Sequence, residues 1–527
     1  MSWSSAFRQA LAEGRPLRHR LRTVTPPDNV TRGLQWTIGA TVGDTGLVLT
    51  GRGSSGGQSV SVGSWDSSIG GWMAEVAGDP RRFRDVSWRG QIVVHECASS
   101  TGDWEPVEAG VYDDIEGSDS NVYRLRFRDL TAALQTRYTT TAARWSLFDG
   151  WAVDPDDPDA SSVIVNHTHT SASWNVGGTT MQLDDLSQIG TPTEGGLVCV
   201  HPERPDTRPS ATDRGRFYLR FTGASADTGV GNLTGLSTFD VALAGRRYNI
   251  GTWVTVQRAA GMVGHPMDIV SGMLTDTPPA STPTNFSFGL PASLTDAEDI
   301  ARWRALCSPS SGSDEWVLLT DYAWPNALGS LRDWLSVAGL WLSMRQGRLT
   351  VRCCVDPAGM SEASVTARQV FGAITGDWCV PGSVHHTDWG GGLGSEYYRV
   401  TVVSPADSAD YTNTVHSHPA EDQHVVDLSD RLAYNEPAQR DLTAARIQPW
   451  VLTLPESIEL AYLNPLARGL CPGDLLAMHL PHVGGRADQT GSYDGRIGMV
   501  ISADPDWWGN GPTKIRLSVP PPLWWQS

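Results

Sequence analysis

The feature that most constrains this chain is the density of its turn residues. It carries 55 glycines and 33 prolines in 527 residues, about one position in six. Glycine and proline interrupt regular structure at short intervals. Many short strands joined by turns are therefore favoured over long helices. No apolar run approaches the roughly 18 residues of a membrane-spanning helix. The length exceeds what one hydrophobic core can organise and implies three or four domains. With 40 % hydrophobic and 19 % charged residues, the composition is that of globular material.

The formal net charge of −18 argues against a groove that grips nucleic-acid phosphates. It leaves open a surface past which DNA slides. Lys514 is the single lysine, so arginine supplies nearly all the positive charge. Tryptophan provides half of the aromatic residues, 22 beside 12 tyrosines and 10 phenylalanines, as large flat contact surfaces would require. The first sixteen residues lack an apolar signal-peptide core, and a reducing cytoplasm is the expected folding compartment. The cysteines agree. There are seven, none forms a CxxC pair, and Cys353 and Cys354 are adjacent, so neither disulfides nor cysteine-ligated zinc are expected.

Strand-like segments occur at 19–24, 34–38, 47–50, 59–62, 91–97 and 110–115. In 121–130, Arg124, Arg126 and Arg128 alternate with Tyr123, Leu125 and Phe127, placing an arginine row opposite an apolar face. From 147 the texture changes to Asp-Pro turns and Gly/Ser/Thr-rich segments. Its short strands read as a β-sandwich inserted into its host. A strand at 251–257, a short helix at 265–275 and a Pro/Ser/Thr-rich linker follow. Helices are expected at 294–307 and 327–338, then a hairpin folded over Gln346–Gly347. The last third is again β, with one helix near 437–446. No repeat of 20–50 residues stands out, which argues against propellers and solenoids.

Candidate chemistry is sparse. GSSGG at 53–57 fits G-x-S-x-G, but its setting is a glycine/serine turn rather than the strand-to-helix bend of a nucleophile elbow. HSHP at 416–419 begins the motif of the JAMM metalloproteases. Counting on from His418, however, Val426 stands where that motif has serine and Ser429 where it has aspartate. His167/His169 and His385/His386 lack the carboxylates that would complete a metal site. DPDDPD at 154–159 lacks the glycine and final glutamate of an EF-hand loop, and VHECA at 94–98 is not HExxH. No catalytic residue, metal site or cofactor is expected.

Four segments carry a family resemblance. GDPRRFRDVSWRGQIVVHE (78–96), with GVYDDI and VYRLRFRDL, resembles the N-terminal domain of baseplate hub proteins of long-tailed phages and gene transfer agents. HPMDIVSGMLT is similar to the helix after the first barrel of such hubs. LGSLRDWLSVAGLWLSMRQGRLTV (328–351) resembles their helix–strand–strand unit. LCPGDLLAMHLPHVGGR (470–486) with GMVISADPDWWGNGPTKIRLSV (498–519) resembles their C-terminal close. Residues 150–245 match none of these motifs. The resemblance implies a mainly β chain with two tail-tube-like antiparallel β-barrel domains and a small α/β unit, to which the strand pattern of 150–245 adds an inserted β-sandwich-like domain. The corresponding ranges are 1–149 with 246–262 for the first barrel, 150–245 for the peripheral insertion, 263–389 for the linker and α/β unit, and 390–527 for the second barrel.

It further implies a homotrimer at a virion tail tip, assembled in the host cytoplasm. Three chains of two barrels would continue a sixfold tube above a threefold tip. The implied partners are the distal tail protein, other baseplate or tail tip proteins and the tape-measure protein, with genomic DNA passing through a channel without specific binding. Arg124, Arg126 and Arg128 become candidate interface residues, or else an ordinary solvated face. The resemblance is silent on what the insertion binds; its aromatic residues Trp174 and Tyr218 are candidate contacts for a host surface glycan. Three other readings stand beside this one: a receptor- or carbohydrate-binding tail protein, a tail-associated peptidase or glycan hydrolase, and a β-sandwich adhesin.

Overall fold

The computed structural model describes residues 3–24, 36–41, 45–79, 90–99, 102–117, 121–134, 151–152, 163–164, 167–186, 196–201, 217–227, 230–238, 247–257, 263–264, 266–275, 290–307, 316–318, 327–337, 339–356, 360–366, 372–388, 399–403, 408–412, 423–427, 432–434, 437–451, 455–481, 483, 493–509 and 511–520. Strands dominate, arranged in several mostly antiparallel sheets. Among the described residues, no helix is long and apolar enough to cross a membrane.

Helix α1 (Ser5–Ala12) opens the chain. Ser4 caps it by accepting a hydrogen bond from the Phe7 amide, and Phe7, Ala10 and Leu11 face inward. Nine strands follow: β1 (Arg18–Val24), β2 (Thr37–Ile38), β3 (Leu47–Ser54), β4 (Gln58–Val60), β5 (Ser67–Ile69), β6 (Trp72–Gly78), β7 (Ile92–Ala98), β8 (Glu105–Gly117) and β9 (Val122–Asp129). Seven of them form an antiparallel sheet in the order β2-β1-β7-β8-β9-β6-β3. Its two edges curl toward each other, and the Leu49 amide of β3 donates to the Gly39 carbonyl just past β2 at 2.8 Å. The alternation expected along β9 holds. Leu125 and Phe127 are buried while Arg124, Arg126 and Arg128 are exposed. The inner face packs Leu21, Trp72, Val93, Cys97 and Phe127 against α1 and, from far along the chain, against Trp507 and Trp508.

Strands β4 and β5 leave this sheet as a hairpin and join a second one. Gln58 and Ser59 pair with Ala503 and Ser502. The second sheet runs Ala373–Thr375, Leu475–His479, Arg496–Asp504, Thr513–Val519, Glu456–Tyr462, His385–Asp388. Between its two edge strands the chain makes a 3₁₀ turn, Gly376–Trp378, and then bonds to the far strand. The Val380 amide donates to Ala461 and the Leu463 amide to Trp378. Both large sheets are thus strongly curved, each around its own apolar core.

A third body lies against them. Helices Pro266–Leu274, Ala297–Cys307 and Ala327–Val337 pack with the hairpin Leu340–Arg345/Arg348–Cys353. The hairpin turn is Gln346–Gly347, both at positive φ (52° and 68°), the conformation of a two-residue type I′ turn. Helix Pro437–Val451 contributes Ala444, Ile447 and Trp450 to the same core. Val400 joins it from a three-stranded sheet of Arg399–Val403, Ser408–Thr412 and Gln423–Asp427. The strands of 390–527 therefore divide between this body and the second curved sheet, which also draws on 373–388.

The insertion builds a five-stranded sheet and a three-stranded sheet around one core that includes Met181, Leu183, Val198, Leu219, Leu233 and Val254. It is a sandwich-like unit, as its short punctuated strands implied. Trp253–Gln257 pairs on one side with Gly196–His201 and on the other with His167–His169, so this strand completes the insertion's sheet.

Candidate functional site

The most unusual chemistry in the described structure lies inside the first curved sheet. His95 and Cys97, two residues apart on β7, point to the same inner face, and His19 on β1 is the register partner of Cys97. The His19 Nδ1 and His95 Nε2 atoms are 3.0 Å apart. The Cys97 Sγ lies 3.4 Å from the first and 3.6 Å from the second. On its other side, His95 Nδ1 meets Glu108 Oε2 at 2.9 Å, and Glu108 Oε1 accepts the Gly56 amide at 3.0 Å. The indole of Trp508 covers both imidazoles, 4.1 Å from the His95 centroid and 5.1 Å from that of His19. Gly53 makes this approach possible, because a Cβ there would lie 2.3 Å from the Met73 carbonyl and 2.7 Å from the Trp508 ring.

Burial sets the charge state of these groups. His95 is fully enclosed, and desolvation pulls its pKa down to about 3. His19 falls to about 4, by burial first and then by the charges of His95 and Arg468. Glu108 rises to about 8 through burial, which outweighs the opposing hydrogen bond from Gly56, and the Cys97 thiol is pushed up for the same reason. The imidazoles are thus neutral near neutral pH, and one of the two facing nitrogens donates its proton to the other.

A second polar cluster ties the α/β body to the second curved sheet. Arg352, 1 % exposed, pairs with Asp299 (Nε to Oδ2, 2.9 Å) and with Asp474 (Nη1 to Oδ1, 2.9 Å), and its guanidinium lies 4.6 Å from the centre of the Trp303 ring. Arg345 and Thr350 also bind Asp299. Burial opposes the Arg352 charge, but Asp299, Cys471 and Asp474 together outweigh it and raise the pKa. Asp474 closes the turn at Pro472–Gly473 by accepting the Cys471 amide at 2.9 Å, and Gly473 sits at φ 101° as a type II turn requires.

The residues singled out in the sequence fall in different places. Arg124, Arg126 and Arg128 form one exposed row, and each meets a carboxylate of a neighbouring strand: Glu75 at 3.4 Å, Glu116 at 2.8 Å and Asp113 at 3.5 Å. That face is a mixed-charge ladder rather than a bare positive stripe. Trp174 is 4 % exposed within the insertion's core, and its Nε1 donates to the Gly178 carbonyl. A ring enclosed in this way presents no face for a sugar to stack on. Tyr218 belongs to strand Phe217–Phe221, and its side chain lies outside the described residues. So do HSHP (416–419) and DPDDPD (154–159). GSSGG runs from β3 into β4, strand to strand, without the helix of a nucleophile elbow.

Sequence reasoning passed over the His19–His95–Cys97 cluster. The only local signal is the H-x-C spacing on a strand, which puts two donors on one face. The third ligand-type residue comes from a paired strand far earlier in the chain.

No protein-family model matches the chain, and no curated protein matches it. Among solved structures it is similar to tail proteins. The 43 kDa tail protein of prophage MuSo2 from Shewanella oneidensis is 11 % identical with a TM-score of 0.31, covering 96 % of this chain and 99 % of that one. A tail protein from Neisseria meningitidis MC58 is 9 % identical with a TM-score of 0.34, covering 88 % and 96 %. A chain from the virion of a native gene transfer agent particle is 10 % identical with a TM-score of 0.20, covering 48 % and 84 %.

Proposed function

We propose that this chain is a structural protein of a phage-type tail, acting as the baseplate hub that joins a sixfold tail tube to a threefold tip. The observation that carries the reading is the pair of curved, mainly antiparallel sheets within one chain, docked to each other by the β4–β5 hairpin and by Trp507 and Trp508. Three copies would present six such sheets around an axis, so the pseudo-sixfold surface meets the tube while the chain symmetry stays threefold. The order of the four hub-like motifs along the sequence supports the same assignment. The net charge of −18 suits a lumen that DNA crosses without sticking, since arginines on phosphates would release counterions and hold the genome back.

In this role the protein is structural rather than catalytic. It works at the tail tip with the distal tail protein, neighbouring baseplate proteins and the tape-measure protein. Native mass spectrometry of the soluble protein and cryo-EM of assembled tails test this. A trimer with both curved sheets around a central channel is expected. A stable monomer in assembled tails, or a position on the tail's outer surface, overturns it.

A further inference from the structure

We propose that His19, His95 and Cys97 form a zinc-type metal site in the core of the first curved sheet, with Glu108 orienting His95. Tetrahedral zinc with bonds of about 2.0–2.1 Å to nitrogen and about 2.3 Å to sulfur sets its ligand atoms roughly 3.3 Å apart for two nitrogens and roughly 3.6 Å apart for nitrogen and sulfur. The separations here are 3.0, 3.4 and 3.6 Å. Three donor atoms of the right types therefore already stand at nearly the spacing that a metal imposes, and they alone form such a group among the described residues.

The backbone explains why the spacing is held. His95 and Cys97 are fixed by the ladders that β7 makes with β1 and β8, and His19 is fixed by the first of these ladders opposite Cys97. None of the three sits on a loop. The remaining nitrogen of His95 meets a carboxylate whose second oxygen is held by the Gly56 amide, the carboxylate–histidine arrangement that sets ring orientation and strengthens a metal-bound imidazole. Charge also closes. A buried divalent ion needs two negative partners, and binding that displaces the Cys97 and Glu108 protons supplies a thiolate and a carboxylate. The thiolate favours zinc over the hard ions magnesium and calcium. Three protein ligands leave one tetrahedral position for a water or another donor.

Metal bound here would tie β1 to β7 directly beneath Trp508, the residue by which the C-terminal sheet enters the first one's core. The site is therefore a staple at the joint of the two curved sheets, and the inference stands independently of the tail assignment.

The test uses the full-length protein, purified without chelators, stripped, reloaded with zinc and passed through a desalting column before elemental analysis. One zinc per chain is expected. Cobalt in its place should give the intense thiolate-to-metal absorption of a sulfur ligand. Cys97→Ser and His19→Ala should each abolish retention. Glu108→Gln should weaken it by about 10–100-fold, and His479→Ala, at a half-buried histidine flanked by carboxylates, should change nothing. If the ligand variants fail to fold, X-ray absorption at the zinc edge of the wild-type protein decides, with one sulfur and two imidazole nitrogens expected. Failure of the reloaded wild type to retain zinc overturns the proposal. So does full retention by the Cys97→Ser variant, or a zinc shell without sulfur.

Discussion

Removal of the Arg352 guanidinium should loosen the joint between the α/β body and the second curved sheet before it affects anything else. Arg352 lies between two carboxylates that are themselves buried, Asp299 at 1 % and Asp474 at 7 % side-chain exposure. The two are not equally dependent on it. Asp299 keeps Arg345 and Thr350 as partners, whereas the Asp474 carboxylate keeps only the Cys471 amide among the described residues. Arg352→Met fills most of the space and leaves Asp474 as a buried charge without a counterion. Breaking a buried pair in this way costs about 3–5 kcal/mol. At about 1.4 kcal/mol per decade, local opening should rise by roughly two to three and a half orders of magnitude.

A melting temperature is a poor readout for a chain of several bodies. Hydrogen exchange resolved by peptide is better suited, with the largest loss of protection in 340–353 and 471–479 and little change in β6 to β9. Asp474→Asn keeps an oxygen for the Cys471 amide and removes the orphaned charge. The double variant Arg352→Met/Asp474→Asn should therefore recover most of what the single one loses, and the cycle measures the coupling. A change below fivefold in the single variant refutes the reasoning. So does a double variant no better than the single, or a loss spread evenly over the chain.

His479 bridges Glu362 (Nε2 to Oε2, 2.9 Å) and Asp494 (Nδ1 to Oδ1, 3.0 Å), and these hydrogen bonds raise its pKa. Because the folded value lies above the ordinary 6.5, the bridge stabilises fully below about pH 6.5 and is lost as pH rises through the raised value. An NMR titration of its ring should show a midpoint above 6.5, and a midpoint at or below that value removes the bridge. Arg126→Glu places like charge beside Glu116 on an exposed face, where a pair contributes at most about 1 kcal/mol, so the isolated protein should melt within a few degrees of wild type. If this ladder is a docking face, the same variant should bind neighbouring tail components more weakly at physiological salt. Normal assembly into tails would assign the ladder to solvent.

What could be read in the sequence is what the backbone decides locally. The hairpin turn at Gln346–Gly347 needs two positive φ angles, and Pro472–Gly473–Asp474 encodes its own turn and the acceptor that closes it. The period-two alternation of 122–128 names its buried face with no knowledge of the partner strand. Partners across long separations leave no such record. Nothing near Gln58 announces Ala503, and nothing in D-P-D-W-W says that Trp508 stacks on His95 in another sheet. Trp174 shows the same limit from the other side, since a tryptophan among glycines and threonines suits an exposed platform or a small domain's core equally well, and only the folded neighbours decide. These long-range contacts also carry most of the chain's architecture. Trp508 fills the first sheet's core from a segment of the second, and Gly53 is kept without a side chain so that it can. Neither curved sheet is therefore complete without the other. The two must be held in a fixed mutual orientation by packing, as a subunit that presents both of them to one symmetric partner would require.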